Sequence, residues 1–338
     1  MNGWHITAPK KVEDRQIDEV FDAQINTKVM LTKALITLMD VLRYQSADNE
    51  GVVLGSYGIG IVSEPGQNLF DLKQGTRVYV TPTLACKECY NCKNEEPNKC
   101  SDLRVAGNDF HGFLRTFVST ESSNLYYLPD NVSDTDALFI EHISLSLSII
   151  DKLDVQKGDH IAVLGATNLG IILSQLLIYY QAVPILIDVD QENLEIAKQS
   201  GIYYTLNKDD NWAKEVSSIT GGKMAKSVVY ISDSEITARH AFALAGYRAP
   251  VAITGMANKN STVSFTTAMK KQLVIHCVNS GYGYTSSSIN LLANKACNLK
   301  HLKLETIKYK DVPEWLDKMS ENIEVEEKIY DTIVNINE

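Results

Sequence analysis

Hydrophobic positions in residues 1–130 fall in short runs that turns separate from one another. The runs are rich in β-branched and aromatic residues, and Gly, Asn and Pro interrupt them. They predict strands at residues 28–38, 58–63, 77–82 and 113–118. Such a series is typical of a mostly-β, barrel-like domain. Ser133 and Asp136 then form a capping-box-like pair, which predicts the start of a helical stretch running to Leu153.

The hydrophobic pattern changes at His160, where short apolar runs begin to alternate with segments of helical length. The apolar runs predict strands at residues 161–164, 184–187, 228–231, 251–254 and 273–278. Helices are expected at residues 171–181 and 191–200, and Gly201 is expected to end the second of them. This alternation predicts βαβ units and a parallel sheet. Beyond residue 283 the pattern predicts a helix, a short strand, a second helix and a final strand at residues 328–334.

Four of the six cysteines lie in one stretch, with the spacing C-x2-C-x2-C-x7-C. Four thiolates so close in sequence can surround one zinc ion tetrahedrally, and such a closed site stabilises a loop without taking part in catalysis. An iron–sulfur cluster is the main alternative, but the common bacterial run has a shorter last gap and a Pro after the fourth Cys. Four unrelated thiols are the remaining interpretation. We predict one structural zinc at Cys86, Cys89, Cys92 and Cys100.

Composition limits the kinds of partner and the cellular compartment. The 338 residues are 44% hydrophobic and 22% charged, as in ordinary globular proteins of two domains. The formal net charge of −10 gives no attraction for nucleic acid or for an anionic membrane. The longest apolar run, residues 171–187, is interrupted by polar residues and Pro184, so no membrane span is predicted. Without a signal peptide, and with a thiolate site, we expect a cytoplasmic protein.

A turn at residues 165–170 resembles the dinucleotide-binding pattern G-x-G-x-x-G, except that Thr167 replaces the middle glycine. It lies between a predicted strand and a predicted helix, and Asp188 ends the next strand. A carboxylate there accepts hydrogen bonds from ribose hydroxyls and repels a 2′-phosphate, which favours NAD over NADP. An ordinary turn that binds nothing is the alternative. The predicted cofactor contacts are Gly165, Thr167, Asn168, Leu169, Gly170 and Asp188.

Several segments carry family motifs. Residues 53–62 resemble V-L-G-H-E-x-x-G-x-V, residues 74–78 resemble x-G-D-R-V, and residues 128–133 resemble L-P-D-x-V-S. Together with the four-cysteine region and the turn at 165–170, they make the chain similar to the medium-chain dehydrogenase/reductase superfamily, in its zinc alcohol and polyol dehydrogenase branch. The resemblance runs nearly end to end.

The resemblance implies a two-domain α/β architecture. A GroES-like β-barrel domain would comprise residues 1–146 and 283–338 and include the zinc lobe at residues 86–100. A Rossmann domain would comprise residues 147–282. Members of the family are usually homodimers or homotetramers that act on small molecules with NAD(H), so we expect the same here.

The chain departs from the family at the positions that hold a catalytic zinc. The cysteine of the family's C-G-T-D-like motif is Thr37, and the histidine of its G-H-E motif is Ser56. The hydroxyl and histidine of the proton relay are replaced by Met39 and Leu42, whereas the later E-P-L motif keeps its carboxylate as Glu141. Hydroxyl groups are weak zinc ligands, so the resemblance implies that the catalytic zinc is missing. A second zinc site rebuilt with His142 or His111 is the disfavoured alternative.

The chemistry expected without that zinc is hydride transfer to or from a nicotinamide. Suitable substrates are a small polar alcohol, a carbonyl compound or an activated alkene. Tyr57, Glu141 and His142 are the predicted catalytic residues, because a phenol, a carboxyl or an imidazole can bind an oxygen or move a proton. A packing role for Tyr57 and a helix-surface role for the other two remain open. Two further hypotheses are a non-catalytic relative that binds a ligand or partner, and a non-redox enzyme that uses NAD transiently.

Overall fold

The computed structural model describes residues 2–17, 21–66, 72–231, 236–255, 265–324 and 331–337. The chain forms two compact units. Unit 1 comprises Met1–Phe139 and Lys303–Glu338, and unit 2 comprises Ile140–Leu302. The limits expected from the family resemblance, 146/147 and 282/283, differ from these unit limits. Among the described residues, no helix combines the length and the apolar character needed to cross a membrane.

The described residues in the first part of unit 1 form strands, three short α-helices and two 3-10 turns, Pro97–Lys99 and Ser122–Asn124. The strands are β1 (Asn2–Ala8), β2 (Lys11–Gln16), β3 (Asn26–Ile36), β4 (Tyr57–Glu64), β5 (Arg77–Val80), β6 (Thr83–Leu84), β7 (Arg104–Val105), β8 (Phe117–Glu121) and β9 (Leu125–Tyr127). The helices are α1 (Leu38–Ser46), α2 (Tyr90–Lys93) and α3 (Asp134–Ala137). The first half of β3 alternates buried and partly exposed residues, because successive side chains of a strand point to opposite faces.

Unit 2 is a parallel sheet whose strands alternate with helices. Its strands are β10 (His160–Leu164), β11 (Val183–Ile187), β12 (Tyr204–Leu206), β13 (Ser227–Ile231), β14 (Pro250–Thr254) and β15 (Val274–Cys277). Its helices are α4 (Ile140–Lys152), α5 (Asn168–Tyr179), α6 (Gln191–Gln199), α7 (Trp212–Ile219), α8 (Ala238–Leu244), α9 (Thr266–Lys271) and α10 (Thr285–Ala293). The strand order is β12-β11-β10-β13-β14-β15. The chain direction across the sheet reverses between β10 and β13, and ligands of open α/β sheets bind outside the carboxyl ends of strands at such a point.

The end of the chain completes unit 1. It contains β16 (Glu305–Lys308), α11 (Val312–Glu324) and β17 (Thr332–Asn335). β17 pairs antiparallel with β3, which gives a sheet of order β16-β17-β3-β4-β5-β9 in which β8 also pairs with β3. The core of the unit includes buried apolar side chains of β3, β4, β5, α11 and β17. The discontinuous unit 1 is therefore closed by strand pairing between the two ends of the sequence.

Several predicted elements differ from the structure, including the helical stretch predicted to run to Leu153, which is divided into α3 and α4, and the strand predicted at residues 77–82, which ends at Val80. The strand predicted at residues 28–38 ends at Ile36, because Thr37 is the N-cap of α1, a helix that the sequence did not predict. Of the strand predicted at residues 113–118, only the last two residues belong to β8. Of the final strand predicted at residues 328–334, residues 328–330 lie outside the described residues, and β17 covers 332–335. By contrast, Gly201 follows α6 with φ = +90°, the left-handed conformation expected of a residue that ends a helix.

Candidate functional site

The four clustered cysteines converge in unit 1. One ligand atom from each of the four lies within 4.8 Å of the others. The Sγ atoms of Cys86 and Cys92 are 3.9 Å apart, and those of Cys89 and Cys100 are also 3.9 Å apart. Zinc–sulfur bonds in a tetrahedral site place sulfur atoms about 3.8 Å apart. The four thiols therefore fit one zinc ion, and no ligand position is left open for a substrate.

Local backbone geometry directs these thiols inward. The backbone N–H of Cys89 donates to Cys86 Sγ at 3.3 Å, and the N–H of Cys86 donates to Cys100 Sγ at 3.3 Å. The N–H of Asp102 donates to the same Cys100 sulfur at 3.4 Å. Such donors stabilise thiolates, the form of cysteine that binds zinc. Backbone N–H groups of Cys92 and Ser101 lower the pKa of Cys89 to about 5.

The residues at the two changed ligand positions meet at one buried carboxylate. Asp40 is fully buried. Its Oδ2 accepts from the Ser56 hydroxyl at 2.6 Å and from the Thr37 backbone N–H at 2.9 Å, while Oδ1 accepts from the Gly55 N–H at 3.0 Å. The Thr37 Oγ1 and Ser56 Oγ atoms lie 3.1 Å apart. We call Thr37, Asp40 and Ser56 the hydroxyl–carboxylate cluster.

The fold explains how residues distant in sequence reach this cluster. Thr37 lies between β3 and α1, and Ser56 directly precedes β4, which pairs with β3. Gly55 has φ = +106°, and a Cβ atom there would lie 2.6 Å from the backbone N of Leu114, so only glycine fits this turn. A guanidinium nitrogen of Arg43 lies 3.8 Å from Asp40 Oδ1, and this charge helps to offset the buried carboxylate.

The predicted catalytic residues are divided between the units. Tyr57 is half-buried at the start of β4 in unit 1, where it pairs with Leu35. Glu141 and His142 lie in the first turn of α4 in unit 2. The structure of either unit by itself therefore does not bring the three together. His111 uses its Nδ1 to accept the Val53 N–H at 3.1 Å, which gives this alternative zinc ligand a structural contact.

Glu141 is a buried carboxyl, and a helix-surface role is wrong for it. Its residue is 9% exposed, and its Oε1 accepts from the Gly281 N–H at 3.1 Å. Burial raises the pKa of Glu141 to about 7, although the Gly281 N–H and the nearby His142 act in the opposite direction. A carboxyl that titrates near neutral pH can give or take a proton under physiological conditions. The sequence carried no signal for the contribution of Gly281.

The predicted cofactor turn lies at the carboxyl end of β10. Gly165 has φ = +109°, and a Cβ atom on Gly170 would lie 1.9 Å from the Gly165 carbonyl oxygen, so both positions require glycine. Thr167 caps α5, because its hydroxyl accepts from the Gly170 N–H at 3.4 Å. The helix begins with Asn168 and Leu169, and the N–H groups at the N-terminus of a helix are suited to bind a phosphate.

Asp188 lies beside this turn. It directly follows β11, the neighbour of β10, and is 3% exposed. Its Oδ2 accepts from the Ala166 N–H at 2.5 Å, and its Oδ1 accepts from the Asp190 N–H at 2.8 Å. These two bonds fix the carboxylate against the turn at the reversal point of the sheet. The residues present therefore fit a dinucleotide.

Comparisons with known proteins agree with both units. The family model for the alcohol dehydrogenase GroES-like domain matches residues 26–130, and the model for zinc-binding dehydrogenases matches residues 169–294. The chain belongs to the medium-chain dehydrogenase/reductase superfamily. Membership confirms the predicted fold class, a GroES-like β-barrel domain with a Rossmann-type parallel-sheet domain. It also confirms the predicted enzyme class, an NAD-dependent dehydrogenase or reductase, and its cofactors, zinc and NAD(H).

Individual relatives are distant in sequence and similar in fold. An uncharacterized zinc-type alcohol dehydrogenase-like protein of Haemophilus influenzae is 28% identical over 275 residues, 80% of each chain. A sorbitol dehydrogenase of Halalkalibacterium halodurans is 27% identical over 257 residues, 74% of this chain and 75% of that protein. An Escherichia coli oxidoreductase of unknown specificity superimposes with a TM-score of 0.89 at 20% identity, covering 99% of this chain and 98% of its own. An Escherichia coli alcohol dehydrogenase in complex with NADH has a TM-score of 0.85 at 21% identity, covering 99% of each chain.

Proposed function

We propose that this family member is an NAD(H)-dependent oxidoreductase that works without a catalytic zinc on a small polar alcohol, a carbonyl compound or an activated alkene. The observation that carries the proposal is the hydroxyl–carboxylate cluster. Thr37 and Ser56 stand at the positions of the family's zinc-binding cysteine and histidine, and both contact Asp40. Neutral hydroxyls bind zinc weakly, and these two already hydrogen-bond each other. This donor set does not fit a catalytic zinc.

Cofactor choice follows from Asp188. Its carboxylate lies at the turn where the ribose of a dinucleotide is bound in this fold, and a negative charge there disfavours a 2′-phosphate. Thr167 replaces the middle glycine with a side chain, but it also caps α5 and leaves the two required glycines in place. Hydride transfer is the chemistry that a bound nicotinamide supplies.

Without a metal, protein groups must stabilise or protonate the reacting oxygen. Glu141 is the strongest of the three predicted catalytic residues, because burial places its pKa at about 7. Tyr57 and His142 remain proposals as an oxygen donor and a second proton carrier. The relatives include a sorbitol dehydrogenase, an L-idonate 5-dehydrogenase and probable D-xylulose reductases, and these names support polyols and their keto forms as the first substrates to test.

Three measurements on the purified protein test the proposal. Elemental analysis should return one zinc per chain, held by the four cysteines. Titration of NADH fluorescence should saturate below millimolar concentration, and NADPH should bind at least about tenfold more weakly because one repulsive charge contact costs more than about 1.4 kcal/mol. A panel of polyols, ketoses, hydroxy acids and conjugated enones should then reveal NAD(H)-linked turnover.

Asp188→Asn is the informative variant for cofactor binding, and Asp159→Asn is its matched control. Asp159 precedes β10 at the opposite end of the strand from the turn. The first substitution should weaken NADH binding at least tenfold and the control should leave it unchanged. Two zinc ions per chain would contradict the zinc-free site. NADH binding without turnover of any panel member would favour the non-catalytic alternative, and co-purified NAD without net reduction would favour the transient-redox alternative.

We also infer that the protein acts in the cytoplasm and assembles as a homodimer or homotetramer, as is usual in the family. Light scattering of the purified chain tests the assembly, and a monomer at micromolar concentration would contradict it.

A further inference from the structure

We propose that unit 2 carries a second ligand site, a cavity of about 440 Å³ that binds a phosphate-bearing small molecule. The cavity lies at the amino-terminal edge of the parallel sheet, whereas the dinucleotide turn lies at the carboxyl end of β10. The cavity is therefore a different region from the cofactor site, and its ligand does not depend on the proposed function.

Three segments that lead into neighbouring strands form the wall of the cavity. His160 is the first residue of β10, Lys226 directly precedes β13, and Ala249 directly precedes β14. Because these strands are parallel, the segments lie at the same edge of the sheet. The Lys226 N–H donates to the His160 carbonyl oxygen at 2.9 Å, and the Gly246 N–H donates to the Ala225 carbonyl oxygen at 2.8 Å. Backbone hydrogen bonds therefore hold the wall in place.

The cavity is positively charged in a chain that is strongly negative. Lys223, Lys226 and Arg248 line it, and Asp159 is the one acidic residue among the described residues that do so. Three cations and one carboxylate give the cavity a formal charge of +2, although the whole chain carries −10. The Asp159 carboxylate already accepts the Gln156 N–H at 2.9 Å. Cations that line one cavity repel one another, and a bound anion relieves that repulsion.

The cationic side chains of the cavity have no acidic partner within the described part of the chain. There, the ammonium groups of Lys223 and Lys226 form neither an ion pair nor a hydrogen bond. The Nε of Arg248 donates to Gln272 Oε1 at 3.0 Å, and the guanidinium lies 5.5 Å from the centre of the Tyr247 ring. These contacts orient the guanidinium and leave its two terminal nitrogens without a hydrogen-bond partner among the described residues. Such a planar pair of donors suits the oxygens of a phosphate.

The size and the donors of the cavity indicate the class of ligand. Small-molecule pockets have volumes of about 300–1,000 Å³, so this cavity has room for more than a single ion. Lysine supplies point charges and arginine supplies a planar fork, and both are used to recognise phosphate. The backbone N–H groups of Met224 and Tyr247, two further lining residues, donate to no described group and are available to phosphate oxygens. A molecule with two or more phosphate charges therefore fits the cavity best.

Isothermal titration of the whole chain with inorganic pyrophosphate tests the site. The double variant Lys223→Gln with Lys226→Gln removes two charges from the cavity. The matched control, Lys198→Gln with Lys214→Gln, removes two charges from α6 and α7 of the same unit. The cavity variant should bind pyrophosphate at least about tenfold more weakly than the wild type, because it loses charge-assisted hydrogen bonds. The control should bind like the wild type, and Asp159→Asn should bind more tightly because it removes the carboxylate.

Two further measurements separate this cavity from the dinucleotide turn, which can also bind pyrophosphate. The titration is repeated with saturating NADH, and the cavity variant should keep the wild-type affinity for NADH. In the wild-type protein, pyrophosphate should protect Lys223 and Lys226 from acetylation by acetic anhydride, measured by mass spectrometry, and leave Lys214 unprotected.

Three results would overturn the site. These are equal pyrophosphate affinity in the wild type and the cavity variant, an equal loss of affinity in the control, and acetylation of Lys223 and Lys226 that pyrophosphate does not change. None of them bears on the proposed function, which zinc content, NADH binding and turnover test separately.

Discussion

The zinc lobe and the hydroxyl–carboxylate cluster lie in the same unit and use their side chains in opposite ways. In the lobe, four thiols converge to within 4.8 Å and backbone N–H groups support their charged form. In the cluster, the polar groups already satisfy one another, because Asp40 accepts from two hydroxyls and two backbone N–H groups. The first region needs an ion to neutralise it, and the second does not.

Under the proposed function, this contrast shows how a family scaffold could keep its structural metal site without a catalytic one. The lobe stabilises a loop, so its value lies in folding. A catalytic zinc would serve chemistry instead, so the proposed zinc-independent reaction does not require its ligands. Asp40 is a fully buried acid in this region, and it accepts a hydrogen bond from the Ser56 hydroxyl.

The largest expected effect comes from breaking the zinc lobe. Cys100→Ser should lose the zinc, because it removes one of four thiolates, and structural zinc sites contribute several kcal/mol or more to folding. The midpoint of thermal unfolding should fall by about 10 °C or more. Cys277→Ser is the control, since Cys277 is exposed on β15 in unit 2. Elemental analysis and thermal denaturation check the prediction, which fails if Cys100→Ser keeps a full equivalent of zinc.

Substitutions in the hydroxyl–carboxylate cluster should create a second zinc site, which would make this region resemble the zinc lobe. The double variant Thr37→Cys with Ser56→His restores both family ligands, and Asp40 lies where it can accept the N–H of the new imidazole. We expect the zinc content to rise from one to two equivalents per chain. Thr37→Cys alone should stay near one equivalent, which serves as the control. Two equivalents of zinc in the wild-type protein would contradict the prediction, because the cluster would then bind a metal as the lobe does.

Glu141, in unit 2, tests whether the proposed site holds a metal. A carboxylate bound to a metal would stay ionised, whereas a buried carboxyl without one takes up a proton more readily. Burial raises its pKa from 4.5 to about 7, so the folded protein keeps a proton that the unfolded chain has released. That contribution to stability is present at low pH and is lost as pH rises from about 4.5 to about 7, by about 3 kcal/mol. Relative to wild type, Glu141→Gln should therefore gain stability between pH 5 and pH 8. Urea unfolding at several pH values measures this.

Glu195→Gln is the matched control for that experiment, since Glu195 is an exposed residue of α6 in the same unit. It should not gain stability over that pH range. Identical pH dependence in wild-type and Glu141→Gln proteins would show that Glu141 is ionised throughout the range.

The smallest expected effect is the loss of stability when one hydroxyl is removed from the hydroxyl–carboxylate cluster. Ser56→Ala removes one donor from the buried Asp40 carboxylate and should cost about 1–3 kcal/mol of unfolding free energy. Ser63→Ala is the control on the same strand, because its hydroxyl bonds the Lys28 carbonyl and is only half-buried. Denaturant unfolding compares the two. Equal losses of unfolding free energy in the two variants would mean that the Ser56–Asp40 contact stabilises the protein no more than an ordinary hydrogen bond.

Much of the fold was predictable because its signals are local. The apolar run of β10 and the turn at residues 165–170 identified the parallel unit, since buried parallel strands are continuously hydrophobic. Helix α1 was missed because its buried face is short and the β-type pattern of β3 continues into Thr37 and Leu38. Predicted strand limits near residue 113 failed because turns and strands share the same residue types there.

By itself, the sequence determined the groups whose chemistry lies in short-range spacing. Four cysteines at fixed intervals predicted a zinc lobe, and a glycine turn followed by Asp188 predicted a dinucleotide site, because each is built by residues close in sequence. The tertiary structure decided the environment of the remaining polar groups. Ser56 reaches Asp40 across 16 residues, and Gly281 reaches Glu141 across 140. Such contacts depend on how strands and helices pack, and packing sets the burial and hydrogen bonding that give a carboxyl its proton affinity.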